Sequence, residues 1–167
     1  MISPSKRFHK IGGGPTKTMT AWAWEMINGK PYPGDPSVGV RHDVKTKKYR
    51  GFEVDKELKN KWLDELNNIV NVEIFALCIG HSATDEHLEW PTYVAFFLDR
   101  SIYHRAVKIV KKLRKIKDTK VMVLSMQERR RMGIICAAPF IYKGPKHKEW
   151  VDWWESIASR INKAVNG

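Results

Sequence analysis

Apolar positions recur along this chain with two periods, and each period predicts its own kind of element. Val38, Val40, His42 and Val44 alternate with Gly39, Arg41 and Asp43, which predicts a strand over 37–44. Asp55 is placed to cap a helix in which Leu58, Trp62, Leu66 and Ile69 fall on one face. The apolar run 72–79 predicts a strand that stops at Gly80, and 92–98 predicts another. Ser101 reads as the cap of a helix with Ile102, Ala106, Ile109, Val110, Leu113 and Ile116 on its apolar side. Strands are expected at 121–126 and 132–138, joined by a hairpin tip at 127–131. Trp150, Trp154, Ile157 and Ile161 set the stripe of a final helix.

The resulting order, β-α-β-β-α-β followed by β-α, is that of an α+β protein. The expectation is a ferredoxin-like βαββαβ sandwich, extended by a C-terminal strand and helix, with helices on one face of an antiparallel sheet. Residues 1–36, with Gly12-Gly13-Gly14-Pro15 and three further prolines after Gly29, read as a basic Gly/Pro-rich arm carrying a short apolar docking segment. Residues 37–167 read as a single α+β domain, and 167 residues in all suit one core.

Charge changes this picture more than composition does. The net charge is +12, but it is unevenly spread. Residues 1–50 hold ten basic and three acidic side chains, and 101–131 hold eleven and two. Residues 51–100 between them hold four and ten. Clustered lysines and arginines favour a polyanionic partner, because they displace condensed counterions together. Nucleic acid, DNA or RNA alike, is therefore the expected partner. Its candidate contacts are Lys47, Lys48 and Arg50, the helical cations Arg105, Lys108, Lys112 and Lys115, and Arg129, Arg130 and Arg131 at the hairpin tip. Tyr49 and the off-stripe tryptophans Trp22, Trp24, Trp90 and Trp153 are candidates for stacking on unpaired bases. The longest apolar run, Tyr93–Leu98, is far short of the roughly 18–20 residues of a membrane span, so no membrane partner is expected. Two cysteines and a start without an apolar leader fit a cytoplasmic location.

Candidate chemistry lies in the acidic middle. Cys78, His81 and His87 bring soft sulfur and imidazole donors together at short spacing, a pattern that suits zinc or another divalent metal. His42 and Asp43, at the end of the first expected strand, and Asp85 and Glu86, in the loop after Gly80, are the candidate catalytic groups for metal-assisted phosphodiester chemistry. A non-catalytic DNA- or RNA-binding module is the alternative, as is a small-molecule metalloenzyme with a basic surface. Gly12-Gly13-Gly14-Pro15-Thr16-Lys17-Thr18 is not a phosphate-binding loop: Thr16 stands where the glycine before the lysine is needed, and no strand precedes it.

Overall fold

The computed structural model describes residues 24–25, 28–33, 46–82, 91–126 and 131–167. The chain order is β1 (Thr46–Tyr49), β2 (Phe52–Asp55), α1 (Asn60–Asn67), β3 (Val72–Cys78) and β4 (Thr92–Leu98). A 3-10 turn (Arg100–Arg105) then runs into α2 (Ala106–Leu113), followed by β5 (Lys120–Met126), β6 (Arg131–Ala138) and α3 (Lys148–Asn166). β1 and β2 form a separate antiparallel hairpin, and the other four strands form one antiparallel sheet in the order β3-β4-β6-β5. No helix among the described residues is long and apolar enough to cross a membrane.

A mixed architecture with helices packed on an antiparallel sheet is as the sequence predicts, but the strand order differs. β4 is paired on both sides, by β3 and by β6. The place beside β4 that a ferredoxin-like order reserves for the 37–44 segment is thus taken by β6. β4 and β5 run parallel, joined through α2, with β6 inserted between them, which is a split βαβ unit. The 37–44 segment itself lies outside the described residues.

The helical stripes bury as their spacing requires. Leu58, Trp62, Leu66 and Ile69 enter the core, as do Ile109, Val110 and Leu113 of α2 and Trp150, Trp154, Ile157 and Ile161 of α3. They meet Val94, Phe96, Leu98, Ile134 and Cys136 on one face of the sheet, with α3 packed between α1 and α2. Two helix starts are corrected. Asp99, not Ser101, caps the turn into α2, its carboxylate accepting the Ser101 N–H at 2.9 Å. Asp55 caps nothing: it ends β2, and α1 begins five residues later behind Lys59, which makes no side-chain cap.

The second face of the sheet is buried too. Phe75, Ala76, Tyr93, Ala95, Phe97, Ile135 and Ala137 are all shielded, and Phe75 stacks on Phe97 at 4.1 Å between ring centroids. An exposed sheet platform for stacking bases is therefore absent among the described residues. A β-bulge between Ile74 and Ala76 inserts Phe75 as an extra residue. Because side chains alternate faces with a period of two, this one-residue shift moves Cys78 from the helix side to the Tyr93 side.

Candidate metal centre and cationic face

The end of β3 is built by a sharp turn at Gly80. Its φ of +86° lies in the left-handed region, and a Cβ there would come within 2.8 Å of the Phe140 carbonyl oxygen and 2.9 Å of Thr92 N. Only glycine fits both demands. The turn directs three groups to one corner. The Ile79 N–H donates to the Asp55 carboxylate at 3.1 Å, and the Gly80 N–H donates to Cys78 Sγ at 3.4 Å. His81 follows directly, and one ligand atom each from Asp55, Cys78 and His81 lies within 4.8 Å of the others.

Tryptophans of α3 hold this corner from beneath. Trp150 Nε1 donates to the Ile79 carbonyl at 2.8 Å. Trp154 Nε1 donates to Thr92 Oγ1 at 3.1 Å, and that hydroxyl in turn donates to the Cys78 carbonyl at 2.7 Å. The backbone on either side of the donors is thus pinned by fully buried side chains.

The electrostatics of the corner are one-sided. Burial pushes the Asp55 carboxyl up to about 6, against the Ile79 hydrogen bond, and the nearby Glu57 carboxylate raises it further. Burial also pushes the Cys78 thiol well up, and the Asp55 charge adds to the effect. Among the described residues, no lysine or arginine acts on either group to offset this. Glu57 Oε2 is itself buried with no hydrogen-bond partner among them. The other thiol, Cys136, lies on the helix side of the sheet and is pushed up to about 12 by burial alone.

Of the expected ligands, Cys78 and His81 come together as the spacing suggested, while His87 lies outside the described residues, as do His42, Asp43, Asp85 and Glu86. Asp55 was missed as a donor. Its signal was in the sequence: Tyr49-Arg50-Gly51-Phe52 is a two-residue hairpin turn, with φ of 49° at Arg50 and 85° at Gly51. Recognising that hairpin ends a strand, not starts a helix, at Asp55.

The cationic candidates divide into two groups. Lys108, Lys112 and Lys115 are exposed along α2 and just beyond it, together with Lys111, Arg114 and Lys117, and Arg105 is half-exposed at its start. Lys112 also reaches the Gly167 carbonyl at 3.3 Å. Arg131 is engaged within the protein: it pairs with Glu73 at 2.7 Å and its guanidinium lies 4.3 Å from the Phe97 ring centroid. In the β1–β2 hairpin Lys47 is half-buried and Lys48 exposed, and Arg50 pairs with Asp64 at 3.5 Å. Arg129 and Arg130 lie outside the described residues.

Three stacking candidates are corrected. Tyr49 is buried, with its hydroxyl donating to Asp64, so its ring offers no free face. Trp153 is buried in α3, and its Nε1 donates to Thr119 at 2.9 Å. Trp24 is buried as well, and Trp22 and Trp90 lie outside the described residues. No family model matches the chain, and no curated protein or solved structure matches it.

Proposed function

We propose that the protein binds nucleic acid along the outer face of α2 through contacts to the phosphate backbone. The observation that carries this reading is that residues 100–117 hold eight lysines and arginines and not one aspartate or glutamate. A merely solvated helix usually interleaves both signs, as α1 does with Lys61, Asp64 and Glu65, and α3 with Lys148, Glu149, Asp152, Glu155, Arg160 and Lys163. Helix stability does not ask for the pattern either. Cations favour a helix C-terminus, yet Arg105 and Lys108 sit at the N-terminal end of α2, where the dipole opposes them.

The split βαβ unit is the part of the expected ferredoxin-like arrangement that this reading uses. It delivers α2 to the surface and runs it toward Lys117 and Lys120, at the end of the sheet shared with Cys78. The buried second face of the sheet directs the reading to backbone contacts rather than base stacking. The phosphodiester-cleaving half of the expectation relies on His42, Asp43, Asp85 and Glu86, all outside the described residues. Binding relies on residues that are described.

The test is the salt dependence of affinity for labelled single- and double-stranded oligonucleotides, measured by fluorescence anisotropy. Replacing Lys108, Lys111 and Lys115 by Gln is expected to lower the log–log slope by about 2–3, at ~0.7–0.9 per lost phosphate contact. Unchanged affinity and slope in that variant would remove α2 from the interface.

A further inference from the structure

We propose that Asp55, Cys78 and His81 form a binding site for a zinc ion that fastens the β1–β2 hairpin to the end of the four-stranded sheet. The inference is independent of the nucleic-acid reading, since it uses none of the residues of α2.

Three separate elements supply the donors: Asp55 ends β2, Cys78 ends β3, and His81 follows the Gly80 turn. One oxygen, one sulfur and one nitrogen donor already lie within 4.8 Å of one another. Donors around a tetrahedral zinc, with bonds of about 2.0–2.3 Å, stand roughly 3.3–3.8 Å apart. Closing the remaining gap needs at most about 1.5 Å of side-chain movement.

The donor set selects the metal. A thiolate beside an imidazole suits zinc and disfavours magnesium or calcium, which prefer oxygen alone. Charge balances as well: carboxylate and thiolate together neutralise a divalent ion, and the imidazole binds neutral. On binding, the Cys78 proton leaves to solvent and a sulfur–metal bond replaces the S–H bond. Three protein donors leave the fourth tetrahedral position for a further ligand.

Two backbone hydrogen bonds hold the donors, and the charges around them leave room for a cation. Backbone N–H groups of Ile79 and Gly80 point at the Asp55 oxygen and the Cys78 sulfur, the role that outer hydrogen bonds play around metal ligands. Glu57 adds a further carboxylate to the neighbourhood, and among the described residues no lysine or arginine acts on Asp55 or Cys78. The hairpin also has reason to need a fastening. Among the described residues β1 and β2 pair only with each other, so the four-stranded ladder described here does not hold them in place.

The experiment titrates cobalt(II) into the full-length, untagged chain after removal of metal by chelation, and then displaces it with zinc. Wild-type protein is expected to bind one cobalt per chain, with a sulfur-to-cobalt charge-transfer band and the visible bands of a tetrahedral ion. His81→Ala, a change at a half-exposed position, is expected to stay folded and to lose tenfold or more in affinity, on the order of the loss from removing even an outer-shell partner. Cys78→Ser is expected to abolish the charge-transfer band, and zinc is expected to raise the melting temperature of wild type but not of His81→Ala. Circular dichroism establishes that each variant is folded. Absence of the sulfur band in folded wild type, or wild-type cobalt affinity in His81→Ala, would overturn the proposal, and the His81 arm decides it if Cys78→Ser does not fold.

Discussion

The two ends of β3 handle polar groups in opposite ways. At its start, Glu73 meets Arg131 at 2.7 Å, and the pair rests against the Phe97 ring with about a quarter of each side chain exposed. At its other end, Asp55, Cys78 and His81 converge without any lysine or arginine acting on Asp55 or Cys78 among the described residues. The first arrangement is complete as it stands, and a structural role accounts for it. The second brings a carboxylate, a thiol and an imidazole together, the donor set on which the zinc proposal rests. The ends also lie about 20 Å apart, since Arg131 is six residues along β6 from Ala137, the residue level with Cys78. Arg131 therefore cannot hold a backbone phosphate over the Cys78 corner, as a single combined site would require.

The contrast can be broken most forcefully at Gly80. Gly80→Ala adds left-handed strain to a Cβ pressed against three backbone groups, for a combined cost of about 2–6 kcal/mol. Urea denaturation reads this as a lowered midpoint at unchanged slope. A loss below about 1 kcal/mol would show that the turn relaxes and that the donors are not rigidly set.

At the opposite end, Glu73→Gln should cost about 1–2 kcal/mol, between the values for exposed and buried ion pairs. The same variant should leave cobalt affinity unchanged, given the distance. A coupled loss of metal binding would merge the two ends into one cooperative unit and end the comparison.

The smallest expected effect belongs to the hairpin that carries Asp55. Burial, the hydrogen bond to Asp64 and the Asp64 charge push the Tyr49 phenol up to about 12, with Arg50 acting the other way. The folded state thus keeps a proton that the unfolded chain gives up near its ordinary value of 10. That contribution is present below pH 10 and is lost as pH rises from 10 to 12. Wild type should therefore lose more stability than Tyr49→Phe between about pH 8 and pH 11, narrowing the gap between them. A constant gap would mean that the phenol titrates normally and that this anchor of the hairpin is weak.

Much of the fold was legible because it rests on local periodicity. The stripes of α1, α2 and α3 and the apolar runs of β3 to β6 each declare themselves within about a dozen residues. The site was legible only in part. Cys78 and His81 are three residues apart, so a turn at Gly80 was enough to suggest that they meet. Asp55 is 24 residues from Ile79, and a carboxylate before an apolar helical stripe looks the same whether it caps a helix or faces another strand. Tyr49 and Trp153 misled for a related reason: an aromatic ring off the predicted stripe reads as exposed until a neighbouring element covers it.

The sequence by itself determined α1, α2 and α3 and the strands β3 to β6, and it concentrated positive charge on one helix, because periodicity and composition act over short range. Tertiary structure decided the strand order, the burial of both sheet faces and the meeting of Asp55 with Cys78. Those depend on long-range pairing and on a single inserted residue, Phe75, whose bulge turns Cys78 to the other face of the sheet. A period of two is unforgiving of such an insertion, and local patterning carries no record of where it falls.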